Sequence, residues 1–89
     1  MLLIDPINFG LSPRTLLGQL SKKHIVIIKD RKSRIIMKDG NKILEQINLI
    51  QDNEQKVKIS LATNAPVCSK TTVFLRENGI EIIALEKQR

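Results

Sequence analysis

The stretch His24-Ile25-Val26-Ile27-Ile28-Lys29-Asp30-Arg31-Lys32-Ser33-Arg34-Ile35-Ile36-Met37-Lys38 decides how the fold is read. From His24 to Lys29 it is apolar and β-branched at nearly every position, the pattern of a strand covered on both faces. Asp30-Arg31-Lys32-Ser33 supplies turn residues, and Arg34 to Lys38 reads as a returning strand. The expectation is a β-hairpin.

Toward the C-terminus, Asp39-Gly40-Asn41 punctuates the chain before a helix. Ile43, Leu44, Ile47 and Ile50 share one stripe of that helix, and Asp39 or Asn41 can cap it. The polar run Gln51 to Gln55 ends it. Val57, Ile59 and Leu61 then alternate with Lys58, Ser60 and Ala62, which marks a strand. After the loop Thr63-Asn64-Ala65-Pro66 comes a helix capped by Ser69, with Val73 and Phe74 on its apolar face and Gly79 as a left-handed closing residue. Ile80 to Leu85 is the last strand, and Glu86 to Arg89 a tail. Toward the N-terminus, Ser12-Pro13-Arg14 reads as a helix start, with Leu11 stapled on Leu16 and an end near Ser21. The order is then α-β-β-α-β-α-β: an α/β domain over residues 1–89 whose mixed four-stranded sheet has helices packed on it.

Eighty-nine residues bury a modest core of Ile, Leu and Val, with two Phe and no Trp or Tyr, so a homodimer would add useful stability. The single cysteine, Cys68, excludes an internal disulfide and suits a reducing, cytoplasmic compartment. Ile25 to Ile28, the longest apolar run, is too short for a membrane span. Met1-Leu2-Leu3-Ile4 meets Asp5-Pro6 with no basic region before it, which is not the pattern of a signal peptide.

Charge is the most informative bulk property. The net charge is +6, and the segment Lys22 to Lys42, with eight basic and two acidic residues, carries all of it. A patch of this density attracts polyanions, nucleic acid above all, and no membrane contact is expected. The candidate phosphate contacts are Lys22, Lys23, Lys29, Arg31, Lys32, Arg34 and Lys38. A plainer account is a solvated face that protects a sheet edge. Neither Phe lies in the patch, so contact is expected through the phosphate backbone, without base stacking and with strong salt dependence.

Few residues suggest chemistry. The loop from Thr63 to Cys68 lies where open α/β sheets hold ligands, and Ser69, Lys70 and Thr71 at the following helix start form an anion-binding candidate, with simple capping as the alternative. Lys70-Thr71 lacks the glycines of a P-loop. Cys68 lacks the aromatic neighbour of a thioredoxin-like motif and reads as a small buried hydrophobe. His24 is the sole histidine and has no partner at zinc-ligand spacing. Asp30 and Asp39 are the carboxylates near strand ends, among lysines that oppose divalent binding. No resident cofactor is expected.

Over residues 24–85 the order of elements resembles the core of the PD-(D/E)XK nucleases, especially the Mrr-like and VRR-type branches. In that family an acidic residue sits on one strand of a hairpin and an acid-x-Lys motif on the next. A helix often carrying Gln follows, then a strand, a helix and a closing strand. The resemblance aligns His24 to Ile28 with the first motif strand, Ile36-Met37-Lys38 with the second, and Gln46 with the helix glutamine. Lys38 and Gln46 match; His24 and Ile36 stand where the metal-binding acids belong. The resemblance therefore implies either a magnesium- or manganese-dependent nuclease using Lys38, Gln46 and a substitute carboxylate, Asp30 or Asp39, or a core without cleavage whose basic surface faces DNA. Three functions stand open: a non-catalytic nucleic-acid-binding domain, which the charge favours, a divergent nuclease, and a homo-oligomeric interaction module.

Overall fold

A computed structural model describes residues 2–54 and 56–85. Met1, Gln55 and the tail read over 86–89 lie outside the described residues. The elements are β1 (Leu2–Ile4), a 3-10 turn (Pro6–Phe9), β2 (Leu16–Ser21), β3 (His24–Lys29), α1 (Met37–Asn53), β4 (Lys58–Thr63), α2 (Ser69–Glu77) and β5 (Glu81–Ala84). They build a five-stranded sheet in the order β1-β2-β3-β4-β5. The first two pairings are antiparallel, and β3–β4 and β4–β5 are parallel.

Register assigns the two faces of the sheet. Leu17, Ile27, Leu61 and Ile82 lie side by side across four strands, with Ile25 and Ile59 beside them. Ile43, Ile47 and Ile50 of α1 and Leu75 of α2 pack on this face to form the core. The two crossovers advance in the same direction along the sheet, and with the handedness usual for parallel connections this places both helices on the same side. The opposite face carries Leu3, Leu16, Val26, Ser60 and Ala62, and no helix covers it among the described residues. Leu3 and Leu16 are exposed there. Among the described residues no helix is long and apolar enough to cross a membrane.

The α/β class, the strand at His24–Lys29, the helix carrying Ile43, Ile47 and Ile50, and the elements from Val57 onward match the reading of the sequence; the segments before His24 and from Arg34 to Lys38 do not. The helix expected from Ser12 is a tight turn followed by β2. Ser12 does bind its neighbours, its Oγ accepting from Arg14 N–H at 3.2 Å and its carbonyl from Thr15 N–H at 3.0 Å. These bonds close a single turn, because Leu16 to Ser21 is claimed by β1 on one side and β3 on the other. The hairpin is therefore β2–β3, turning at Lys22-Lys23, and the returning strand expected at Arg34–Lys38 is absent. Ile35 instead makes a lone parallel bridge to Val67, and Met37 already begins α1. With β1 the described residues form five strands where four were expected, and two α-helices where three were expected.

Helix ends show which local signals held. Gly79, at φ +77°, ends α2 as read, with Gly79 N–H on the Arg76 carbonyl and Ile80 N–H on that of Leu75, a Schellman closure. Cys68, not Ser69, is the N-cap of α2. Asp39 lies inside the first turn of α1, where its Oδ2 accepts the N–H of Ile36 at 2.9 Å. Gly40, read as punctuation, is a buried residue of α1 at the crossing with α2. A Cβ there would stand 2.9 Å from Thr71 Cγ2, a stiff, fully buried methyl.

Gly40→Ala is thus expected to destabilise the chain by about 1–2 kcal/mol, overpacking outweighing the gain in helix propensity. Thr71→Ser in that background should recover much of the loss. Urea unfolding of the two single variants and the double variant checks this, and additive losses would exclude the contact as the cause.

Candidate nucleic-acid interface

Parallel pairing brings the carboxyl ends of β3 and β4 together, with Lys29 opposite Thr63. The Thr63 hydroxyl donates to the Lys29 carbonyl at 2.8 Å and accepts from Ala65 N–H at 3.0 Å, which ties the loop after β4 to the end of β3. Asn64 continues the tie. Its Oδ1 accepts from Arg31 N–H at 3.0 Å, and its Nδ2 donates to Asp30 Oδ1 at 2.7 Å.

Arg31 organises the connection from β3 to α1. Its guanidinium donates to the carbonyls of Ser33 and Arg34, each at 3.2 Å, and to Asp39 Oδ2 at 2.6 Å. Asp39 therefore holds Arg31 and the first turn of α1 at once. The hydrogen bond from Arg31, that from Ile36 N–H, and the charges of Arg31 and Lys29 keep its carboxyl below the usual carboxylate range. Lys29 is half-buried beside them. Burial first, then the charges of Arg31 and Lys42, hold its ammonium below its ordinary 10.5 against the opposing pull of Asp39. Lys29, Arg31, Ile35, Asp39, Lys42 and Ile43 line a cavity of about 40 Å³. Three cations and one committed carboxylate make it electropositive.

The seven residues expected to contact phosphate do not share one hairpin. Lys22 and Lys23 form the β2–β3 turn at the amino end of β3, roughly 20 Å of strand away from Lys29. Lys29, Arg31, Lys32 and Arg34 gather at the carboxyl end, and Lys38 lies exposed on the first turn of α1. Lys42, one turn beyond Lys38, belongs to the cluster, and Asn64 braces it. Lys42 was legible as one helical turn from Asp39, whereas the role of Asn64 appears only once β3 and β4 pair.

The other sequence candidates scatter. Gln46 lies a turn past Lys42, and its buried Oε1 has no partner among the described residues. Ser69 and Lys70 are exposed, but Thr71 is fully buried, its Oγ1 2.8 Å from Cys68 Sγ. Cys68 is half-buried, not a core residue. The Thr71 hydroxyl and amide, then the charge of Arg34, lower its thiol pKa. His24 Nε2 lies 2.7 Å from Ser60 Oγ on the sheet face without helices. Among the described residues no three His, Cys, Asp or Glu side chains are grouped to hold a metal ion.

Two pH dependences follow, of opposite origin. The Asp39 contribution to stability is present above its usual value near 3.8 and is lost as pH falls through its lower folded value. Asp39→Asn should cost about 1–2 kcal/mol at neutral pH and flatten this acid limb of the stability profile. The depressed Lys29 value means that the unfolded chain holds more protons on the way up to 10.5, so stability rises with pH through that window. Lys29→Met should abolish the rise. Urea midpoints across pH test both variants.

No protein-family model matches the chain, and no curated protein matches its sequence. Solved structures do. EndoMS in complex with double-stranded DNA is 20% identical with a TM-score of 0.65, over 83% of this chain and 31% of that one. A repair endonuclease from Pyrococcus abyssi is 14% identical with a TM-score of 0.65, over 82% and 32%. EndoMS in its apo form is 20% identical with a TM-score of 0.64, over 81% and 34%. The present chain spans about a third of the length of each, and at these identities the likeness is one of fold. The fold is nuclease-like.

Proposed function

We propose that the chain is a nucleic-acid-binding domain of nuclease-like fold that grips phosphates at the carboxyl end of β3 and does not cleave them. The observation that carries this reading is the Lys29–Arg31–Lys42 cavity, cationic and with its one carboxylate already committed to Arg31 and Ile36 N–H. The family pattern places acid-x-Lys on the second strand of a hairpin. That strand is β3, so the spacing falls on Ile27-Ile28-Lys29, with Lys29 at the lysine position and buried Ile27 at the acid's. Ile36-Met37-Lys38, the alignment made from sequence, is not on a strand at all. No acidic residue lies on β2, and Asp30 and Asp39 are both held by neighbours. These residues do not fit a divalent metal ion. They suit an anion, which would compensate the cost of a half-buried ammonium.

Nuclease activity is the second reading, favoured by the likeness to repair endonucleases. It requires Lys29 or Lys38 to work with Asp30 or Asp39, Gln46 nearby, and magnesium or manganese.

Fluorescence anisotropy with labelled duplex DNA, single-stranded DNA and RNA, at increasing salt and with or without magnesium or manganese, tests both. Binding should weaken steeply with salt, and Lys32→Ala/Arg34→Ala/Lys38→Ala should make the log–log slope shallower by about 2–3. Lys22→Ala/Lys23→Ala, at the far end of β3, should leave the slope nearly unchanged. Absence of binding at low salt overturns the proposal. Metal-dependent shortening of the probe, lost in Lys29→Ala, establishes the nuclease in its place.

A further inference from the structure

The outer face of α2 presents a stripe apart from the basic cluster, in which Lys70, Val73 and Glu77 are exposed and Phe74 is half-buried against the core. Lys70, Val73, Phe74 and Glu77 stand at helical spacings of three, one and three, on one side of the helix. With Met37 and Ser69 they line an open groove of about 610 Å³. Val73 is 53% exposed, and Ile36, just before α1, is 48% exposed. An apolar centre flanked by one cation and one anion is the composition of a contact surface.

Local forces do not account for the charges at its ends. Lys70 sits in the first turn of α2, where the helix dipole disfavours a cation, and Glu77 is the last helical residue, where it disfavours an anion. Neither side chain forms an ion pair among the described residues. The stripe is also its own complement. Laid antiparallel on a second copy about a two-fold axis between Val73 and Phe74, Lys70 meets Glu77 at both ends and Val73 meets Phe74 twice in the middle. A two-fold axis needs such a patch, because each contact occurs in duplicate. In that arrangement each charge finds the partner that its own helix denies it.

We propose that α2 forms an isologous, antiparallel homodimer contact, with the exposed Val73 seated against Phe74 and Met37, which wall the groove of the partner copy, and Lys70–Glu77 pairs closing both ends. The contact involves none of the residues of the nucleic-acid cluster, so the two proposals stand or fall separately. One short helix per copy supplies a small interface, and the association is weak, with a dissociation constant on the order of micromolar to millimolar.

Sedimentation equilibrium on the full chain, from about 10 μM to 1 mM, provides the test. The native sequence is expected to dimerise reversibly. Lys70→Glu and Glu77→Lys should each weaken association by about tenfold or more, since each breaks two pairs and sets like charges together. Mixing these two variants should restore dimers, because the mixed pair has opposite charges at both ends. The double variant Lys70→Glu/Glu77→Lys should regain the native constant. Val73→Glu, at an exposed site, should abolish association while leaving the circular dichroism spectrum intact. A native chain that stays monomeric at 1 mM overturns the proposal. So does a dimer whose constant is indifferent to Lys70→Glu, or a mixture of the two single variants that fails to associate.

Discussion

The parallel ladder between β3 and β4 is the constraint from which the other features follow. Two parallel neighbours cannot be joined by a tight turn, so the chain must cross the sheet, and α1 is that crossing. Its Ile43, Ile47 and Ile50 cover Ile25, Ile27, Ile59 and Leu61, and the next crossing adds Leu75 beside them. The same ladder sets both strands' carboxyl ends level, which places Lys29 against Thr63 and the Arg31 loop against Asn64. One pairing thus produces both the core and the charged end.

At that end, electrostatics and architecture use the same atoms. Asp39 is the only carboxylate lining the cavity among the described residues, and its Oδ2 receives both the Arg31 guanidinium and the Ile36 amide. It starts the helix and fixes the loop, which leaves Lys29 and Lys42 with an excess of positive charge around a small cavity. An excess of that sign, in a setting of reduced dielectric, is the electrostatic basis of the proposed phosphate contact.

What the sequence disclosed follows from the range of the signals. Periodicity and capping act within a few residues, and they located the stripe of α1, the alternation of β4 and the Schellman end at Gly79 correctly. They failed where distant partners decide. Ser12 forms the bonds of a helix start, yet β1 and β3 recruit the following residues into the sheet. Gly40 resembles a breaker, yet its role is to let α1 approach Thr71. Lys29 could be singled out as a basic residue, but its burial, its neighbour Lys42 and its brace Asn64 depend on a pairing 34 residues along the chain. The two-fold character of the α2 stripe was hidden for another reason: Ser69, Lys70 and Thr71 were read together as an anion site, while the structure buries Thr71 and aligns Lys70 with Glu77.

The sheet order also has a kinetic meaning. β1, β2 and β3 are a meander of near neighbours, whereas β3–β4 and β4–β5 close only after long crossovers. Loop entropy favours early formation of the β2–β3 ribbon and delays the parallel half, in which α1 must find α2 through Gly40 and Thr71. Residues of that helix crossing then belong to the late part of folding. Changes there should steepen the escape from the native state while leaving the rate of its formation nearly untouched, a division that the two limbs of a chevron plot would display.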